Sequence, residues 1–308
     1  MSDSFHGFSE HHVHVTSTSP KGGNLSIRVR RSGKEGDGKK GLLLLHGYPQ
    51  TSYIWRFVAP KLAEKYTVIC TDLRGYGQSS KPKGTEGHEE YSKRSMADDQ
   101  VQVMAHFGFT KFSVLAHDRG ARVAHRLALD HPDKVEGMCL LDIAPTVYMY
   151  EKTNMNFAEG YWHWFYLIQP SPGPERMILA DPEAYWGTLA GRATHKLVQF
   201  SEDAVKEYKE NLSTMEGIHA TCEDYRASAT IDLDHDRADR SAGKKLSVAK
   251  LKIIWGGKGM IDRYGDVLSV WKGYAEDGVE VSGTSLDCGH YIPEEKPEEL
   301  LKEVLDFF

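Results

Sequence analysis

Two residues at the ends of apolar runs have the types and the chain order needed for nucleophilic catalysis. In residues 112–121, an apolar strand-like run leads into Asp118 and then into a helical stretch, with small residues on both sides. This is the nucleophile-elbow pattern, in which Asp118 stands where serine is usual and Ala116 replaces the first glycine. The tight turn projects its middle side chain beyond the sheet edge, and the N-terminus of the following helix favours an ionised, nucleophilic carboxylate.

A general base and its orienting acid are expected later in the chain. His290 ends the last apolar run, and the order Asp118, acid, His290 matches the nucleophile, acid, histidine order of hydrolases with this elbow. Two positions compete for the acid. Gly259 stands where an aspartate often follows the strand after an insertion, so Asp142, at the end of an earlier strand, is the predicted acid. Asp262 is the alternative.

Two backbone N–H groups and two arginine side chains surround the predicted nucleophile. Tyr48 follows the first core strand in a His-Gly-Tyr-Pro turn, and Arg119 follows the nucleophile, so their N–H groups are candidates for an oxyanion hole. Arg119 and Arg122 share one face of the first helical turn and can clamp a small carboxylate. Because a helix N-terminus disfavours cations, the paired arginines indicate an anionic neighbour. A solvated or structurally ion-paired role is the alternative.

The elements that must position these residues follow a β/α rhythm. After an antiparallel strand at residues 25–30, short continuous apolar runs alternate with helical stretches, which predicts a mostly parallel sheet with helices on both faces. Residues 146–236 instead carry helical periodicity, many aromatic residues and no convincing strand. We therefore predict an α/β core formed by residues 1–145 and 237–308, with residues 146–236 inserted as a helical cap.

Together these features resemble the α/β-hydrolase superfamily, and in detail its haloacetate (fluoroacetate) dehalogenase branch, from about residue 25 to the end of the chain. The resemblance rests on the Asp-Arg-Gly-Ala-Arg motif at residues 118–122, Asp142 before the cap, the aromatic string at 161–165 and Cys-Glu-Asp-Tyr-Arg-Ala at 222–227. It implies hydrolysis of a small 2-haloacid through an aspartyl ester, giving a 2-hydroxyacid and halide. It also implies a homodimer.

The resemblance assigns substrate contacts as well. Arg119 and Arg122 correspond to the arginines that hold the substrate carboxylate, and His163 and Trp164 to cap residues whose N–H groups bind the departing halide. The family's third halide donor is a tyrosine, and in our alignment Thr230 stands there. Because fluoride is the poorest common halide leaving group and depends most on such donors, this replacement predicts weaker activity on C–F than on C–Cl or C–Br bonds. For the aromatic cluster, packing alone is the alternative role.

Two other functions fit parts of the pattern. An epoxide hydrolase shares the fold, the aspartate and the histidine but needs cap tyrosines that protonate the epoxide oxygen, and the candidates are Tyr148, Tyr150, Tyr161 and Tyr225. The arginine pair and Gly259 argue against it. A non-catalytic receptor that binds a small ligand under the cap would not need a nucleophile, an acid and a base together.

Composition limits the partners. The chain has 308 residues and a net charge of −6, so it has no basic field to attract nucleic acid or an anionic membrane, and a small anionic substrate is the expected partner. Its four cysteines show no C-x-x-C spacing and indicate reduced core thiols in a cytoplasmic protein. Neither a secretory signal nor a membrane span is expected.

No metal or organic cofactor is expected. His11, His12 and His14 lie in a stretch that we predict to be a flexible polar leader, without a companion cluster of ligands. Residues 232–243 begin like a calcium loop but lack its glycine and its closing acid.

Overall fold

The computed structural model describes residues 5–34, 36–194 and 200–308. Its centre is a sheet with the strand order β1-β2-β4-β3-β5-β6-β7-β8. The strands are β1 (Phe8–Thr16), β2 (Asn24–Ser32), β3 (Gly41–Leu45), β4 (Thr67–Thr71), β5 (Phe112–His117), β6 (Val135–Leu141), β7 (Lys250–Gly256) and β8 (Glu280–Leu286). β1 and β2 pair in antiparallel fashion, and β3 to β8 pair in parallel. The predicted mostly parallel α/β sheet is confirmed.

Helices cover the sheet and also form the long insertion between β6 and β7. In chain order they are α1 (Ala59–Leu62), α2 (Lys93–His106), α3 (Asp118–Asp130), α4 (Thr146–Glu151), α5 (Met155–Gly160), α6 (Trp162–Leu167), α7 (Gly173–Ala180), α8 (Pro182–Thr194), α9 (Glu202–Glu210), α10 (Met215–Ala229), α11 (Ile231–Ser241), α12 (Val267–Tyr274), α13 (Ile292–Glu295) and α14 (Pro297–Val304).

The buried leucines of β3 show why the core strands read as continuous apolar runs. Leu43 and Leu45 belong to the hydrophobic cluster formed with α2, α3 and α12. Leu42 and Leu44 belong to a second cluster, formed with α1, α13 and α14. Because successive side chains of a strand point to opposite faces, a strand covered by helices on both sides must be apolar at every position.

The order of the strands determines where a site can form. From β3 the chain first moves to β4 on one side and then to β5 on the other, so the loops after β3 and β5 diverge and leave a crevice at the carboxyl edge. The ends of the two strands are in register, with Leu45 opposite Ala116. The Tyr48 turn and Asp118 therefore meet at this switch point.

The helical insertion, α4 to α11, leaves the core after β6. Its last helix, α11, runs from Ile231 to Ser241, so the predicted boundary between residues 236 and 237 falls inside a helix. Arg126 on α3 forms ion pairs with Asp236 and Asp239 on α11 and ties this helix to the core. The aspartates that begin like a calcium loop are therefore part of a regular helix.

The first strand was not predicted. β1 pairs with β2 along its whole length, so the predicted flexible leader is wrong from Phe8 onward. Val13 and Val15 are buried whereas His12 and His14 are exposed, and this two-residue alternation is the pattern of an edge strand with one face on the core.

The four cysteines, Cys70, Cys139, Cys222 and Cys288, are buried and unpaired, as expected for core thiols. Within the described ranges, no helix has both the length and the apolar character needed to cross a membrane.

Candidate active site

Asp118 lies at the sharp turn between β5 and α3. Its φ of +46° is in the left-handed region, which residues other than glycine seldom adopt. The turn also requires Gly120, because a Cβ atom there would lie 2.3 Å from the carbonyl oxygen of His46. Asp118 is 5% exposed, and its side chain stands at the carboxyl edge of the sheet. This is the placement that the elbow pattern predicts for a nucleophile.

The Tyr48 turn supplies a backbone donor to this carboxylate. The N–H of Tyr48 donates to Oδ1 of Asp118 at 2.9 Å. A Cβ atom at Gly47 would lie 2.5 Å from that same Oδ1 and 2.9 Å from the backbone nitrogen of Arg119. Both predicted oxyanion donors, Tyr48 and Arg119, therefore border one small space, which only glycine at position 47 leaves open.

Asp142 and His290 meet at the ends of two other strands. Asp142 follows β6 with a φ of +52°, and its Oδ2 accepts a hydrogen bond from Nδ1 of His290 at 2.5 Å. Its Oδ1 accepts the N–H of Gly256 at 3.0 Å. Because the Nδ1 proton is held by Asp142, Nε2 is the basic nitrogen of His290, and it lies 3.9 Å from Oδ2 of Asp118. The structure thus brings the three predicted catalytic residues together.

The competing positions for the acid are also visible. A Cβ atom at Gly259 would lie 3.6 Å from Oδ1 of Asp142, so the two possible acid positions are neighbours in space. Asp262 instead accepts a hydrogen bond from the indole N–H of Trp255 at 2.8 Å, in an exposed position. The geometry favours Asp142 as the partner of His290.

His117, the residue before the nucleophile, also contacts the base, and sequence reasoning missed it. Its Nε2 lies 2.8 Å from the carbonyl oxygen of His290, to which it donates, and the two ring centroids are 4.6 Å apart. Burial, followed by the neighbouring His290, lowers the pKa of His117 to about 3, so this imidazole is neutral at neutral pH. We conclude that His117 fixes the backbone of His290.

The charge of Asp118 is maintained by its neighbours. Burial alone would raise its pKa, but His290 first, and then other groups including Arg122 and Arg119, outweigh burial and hold the pKa below its ordinary value. Asp118 is therefore an ionised carboxylate, as a nucleophile must be.

Arg119 is held rigidly by the insertion. Its Nε and Nη2 donate to the two carboxylate oxygens of Asp224 at 2.9 and 2.8 Å, and Nη2 also donates to the hydroxyl of Ser228 at 2.6 Å. Asp224 is itself bound by Lys93 and by the hydroxyl of Tyr76. In this network Nη1 of Arg119 stays buried without a hydrogen-bond partner among the residues that the structure describes.

Arg122 is buried with less compensation. Its Nη1 donates to the carbonyl of Ala144 at 3.1 Å and to the hydroxyl of Thr146 at 3.0 Å, while Nε has no partner in the described parts of the chain. Burial and Arg119 lower the pKa of Arg122, although Asp118 opposes them. A buried cation that is bonded only to neutral groups is costly, so the site is suited to a bound anion.

His163 and Trp164, both on α6, form the side of the site that belongs to the insertion. The ring of Trp164 lies 4.7 Å from the guanidinium carbon of Arg122, and its indole N–H is buried and unbonded among the described residues. The ring of His163 stacks on Tyr48, with centroids 6.2 Å apart and planes 17° apart. These two of the three predicted halide donors therefore pack directly on residues that surround Asp118.

Thr230, the third predicted halide donor, is not part of this group. It is an exposed residue at the end of α10, its hydroxyl donates to the carbonyl of Arg226 at 2.7 Å, and it lines a separate surface depression together with His88. The geometry therefore does not support a halide-binding role for Thr230.

Tyr225, and not Thr230, lies where a third halide donor is expected. It is fully buried on α10, its ring lies 5.6 Å from that of His163 and 4.1 Å from the guanidinium carbon of Arg119, and its hydroxyl has no partner among the described residues. A shift of five residues along a helix turns a side chain by about 140°. Position 225 therefore faces the site, whereas position 230 faces away.

A cavity of about 240 Å³ borders His290. Asp142 and His290 line its inner end, Tyr161 contributes from the insertion, and the exposed side chains of Lys258 and Arg263 lie at its outer part. Because exposed side chains and the predicted base line the same cavity, it is a candidate route for water to His290.

Comparisons with known proteins agree with this geometry. Residues 41–297 match the family model of the alpha/beta hydrolase fold. The chain is 40% identical to a fluoroacetate dehalogenase from Burkholderia sp over 86% of both chains, and 33% identical to a soluble epoxide hydrolase from Corynebacterium sp. (strain C12) over 87% of this chain and 89% of that one. A crystal structure of a candidate alpha/beta hydrolase from Nostoc sp PCC 7120 superposes with a TM-score of 0.87 at 47% identity, covering 97% of this chain and 98% of that one.

The family model covers most of the chain, and the two relatives match more than four fifths of it. The resemblance found in the sequence is confirmed: this chain belongs to the alpha/beta hydrolase fold family, in which it is similar to the fluoroacetate dehalogenase branch.

Proposed function

We propose that the chain hydrolyses small 2-haloacids of the haloacetate type through an aspartyl ester, and releases a 2-hydroxyacid and halide. One observation carries the proposal. The ionised carboxylate of Asp118 lies beside Arg122, a buried cation that donates a hydrogen bond to no carboxylate among the described residues. The carboxylate of a haloacid supplies the missing anion. Once the substrate carboxylate is bound to Arg122, the α-carbon, which is bonded to that carboxylate, lies close to the nucleophilic Asp118.

In the first step, Oδ2 of Asp118 attacks the α-carbon and the carbon–halogen bond breaks, with its electron pair leaving on the halide. Oδ2 is the reactive oxygen because Oδ1 is already held by the N–H of Tyr48. The departing halide is received by the indole N–H of Trp164 and by its neighbours His163 and Tyr225. No acyl intermediate forms in this step, which explains why a carboxylate can replace serine.

In the second step, Nε2 of His290 takes a proton from a water molecule that attacks Cγ of the ester. Negative charge then develops on Oδ1, beside the N–H groups of Tyr48 and Arg119. Asp142 stabilises the imidazolium that forms. When the intermediate collapses, the 2-hydroxyacid leaves with the proton from His290, and the carboxylic acid of Asp118 loses its own proton to solvent.

The proposal includes C–F bonds. The predicted weakness on fluoride depended on a threonine in place of a phenol, and the buried hydroxyl of Tyr225 supplies that phenol. The similarity to a fluoroacetate dehalogenase supports the same substrate range.

The rival functions agree less well with the site. A neutral epoxide would give the buried Arg122 no anionic partner. A receptor would not need an ionised nucleophile beside a His–Asp pair. The similarity to a soluble epoxide hydrolase nevertheless makes the comparison of substrates necessary.

The test measures halide and proton release from chloroacetate, bromoacetate and fluoroacetate, alongside diol formation from styrene oxide. We expect equal amounts of halide and acid from the haloacetates. A diol without halide would refute the proposal. In a single turnover in water enriched in heavy oxygen, the product should contain an unlabelled oxygen taken from Asp118, whereas a labelled product would exclude the ester.

A further inference from the structure

Two phenolic hydroxyl groups are buried in the site without a hydrogen-bond partner among the described residues. They belong to Tyr225 on α10 and Tyr150 on α4. Both rings contact Trp164, with centroid distances of 6.3 and 5.2 Å. Buried phenols are normally bonded, so two open hydroxyls around one indole indicate that a ligand atom completes them.

These hydroxyls can do more than donate a hydrogen bond to a departing halide. A halide leaves as a stable anion and needs hydrogen-bond donors, such as the indole N–H of Trp164 and the hydroxyl of Tyr225, but it needs no proton. An alkoxide is a much stronger base and leaves easily only when it receives a proton. A phenol can transfer that proton, whereas an indole N–H can only donate a hydrogen bond.

We propose that the same site also opens short epoxy carboxylates whose ring includes the α-carbon, of which glycidate is the smallest. This inference rests on the proposed function for the roles of Asp118 and of the arginine pair. The carboxylate is held by Arg119 and Arg122, Oδ2 of Asp118 attacks the α-carbon, and the C–O bond of the ring breaks. Its electron pair stays on the ring oxygen, which takes the proton of Tyr225.

The surroundings of Tyr225 suit this transfer. Burial, with Asp118 as the next contribution, raises its pKa well above the ordinary value, so the hydroxyl is protonated in the resting site. Formation of the ester removes the charge of Asp118 and therefore makes Tyr225 more acidic at the moment when the alkoxide develops. The guanidinium of Arg119, 4.1 Å from the ring, stabilises the phenolate.

The protons balance without another reactant. Water gives one proton to His290, which passes it to the departing α-oxygen, and the carboxylic acid of Asp118 returns its proton to the phenolate of Tyr225. The overall reaction adds one water to the epoxide and releases no acid. Dehalogenation, in contrast, releases one proton for each halide. Acid release in an unbuffered solution therefore distinguishes the two reactions.

The experiment compares glycidate with glycidol, which has the same ring but a neutral hydroxymethyl group, and measures chloride release from chloroacetate in parallel. We expect glycerate from glycidate without acid release, and at least about 10-fold slower opening of glycidol, because it lacks the charge that binds the arginines. Chloride release without glycerate overturns this inference and leaves the proposed function intact. Glycerate without chloride release would overturn the proposed function and leave this inference intact.

Variants test the role of the phenol. Tyr225→Phe should lose about 100-fold or more of the glycidate reaction and much less of the chloroacetate reaction. Tyr150→Phe tests the second hydroxyl, and Tyr166→Phe is the matched control because its hydroxyl donates to the carbonyl of Pro174 outside the site. Equal losses on both substrates in Tyr225→Phe would overturn proton transfer by Tyr225. If that variant does not fold, acid release during glycidate turnover by the parent protein overturns the proposal instead.

Discussion

Nε2 of His290 lies 3.9 Å from Oδ2 of Asp118, too far for a hydrogen bond and too close for the two groups to act independently. Asp142 holds the imidazole from the other side, at 2.5 Å. The base is therefore placed beside the nucleophile without being bonded to it. This arrangement suits a base that is idle during the attack of Asp118 and acts on water once the ester has formed.

His290→Gln should separate the two steps. We expect a burst of one halide per active site followed by arrest, because ester formation does not need the base but hydrolysis does. Mass spectrometry should then find one carboxymethyl group on Asp118. His131→Gln, on the surface near Asp98, is the matched control and should turn over normally. Continuous turnover by His290→Gln would contradict the assignment of the base.

Arg122→Gln should weaken substrate binding more than chemistry. The loss of a charge-assisted contact to the carboxylate is expected to raise KM for chloroacetate by about 10- to 100-fold. The half-buried Arg94 pairs with Asp130 away from the site, so Arg94→Gln serves as the control. An unchanged KM in Arg122→Gln would show that the substrate carboxylate binds elsewhere.

Gly47→Ala should impair catalysis through its backbone position. The added Cβ would lie 2.5 Å from Oδ1 of Asp118, so the Tyr48 turn must shift and its N–H donor with it. Loss of one oxyanion donor lowers kcat by about 100-fold or more. The burst of halide from the first step should persist, and a variant that hydrolyses its ester at the parent rate would argue against this oxyanion hole.

Tyr225→Phe should affect fluoride more than bromide. Fluoride depends most on hydrogen-bond donors, so we expect kcat for fluoroacetate to fall by at least about 10-fold more than kcat for bromoacetate. Thr230→Val is the paired control, because Thr230 is exposed and should leave both rates unchanged. The reverse pattern, with Thr230→Val selective for fluoride, would restore the assignment made from the sequence.

The stability of the fold should decrease in mild acid, in part because of His125. Burial, followed by Arg126 and Arg122, lowers the pKa of this histidine to about 3, so its stabilising contribution is complete above the unfolded pKa of 6.5 and is lost as the pH falls below it. Denaturant titrations at pH 7 and pH 5 measure how far the free energy of unfolding falls between these pH values. We expect this fall to be about 2 kcal/mol smaller in His125→Gln than in the parent protein. An equal fall in the free energy of unfolding in both proteins would show that protonation of His125 does not destabilise the fold.

The catalytic residues were predictable because their positions depend on local patterns at the ends of strands. Asp118 follows β5 in a turn of small residues, and Asp142 and His290 follow the predicted order along the chain. Because parallel strands bring their carboxyl ends to one edge of the sheet, residues that directly follow such strands are expected to meet.

Other features depend on contacts that no local pattern shows. The role of His117 requires the carbonyl of His290, and the rigidity of Arg119 requires Asp224 on α10. Thr230 was assigned as a halide donor because an alignment of short motifs does not reveal which face of α10 packs on the site. β1 was missed because its polar face alternates with few apolar residues before Val13.

Asp118 and Asp142 share a feature whose effect extends beyond the chemistry. Both adopt a left-handed backbone, with φ of +46° and +52°, which costs about 1 kcal/mol for each residue that carries a Cβ atom. At these two turns the backbone conformation alone favours glycine, whereas the hydrogen bonds that the two carboxylates accept from Tyr48, Gly256 and His290 favour aspartate. Substituting glycine at either turn would relieve the strain but leave buried donors without their acceptors, so the catalytic carboxylates also hold together the loops that carry them.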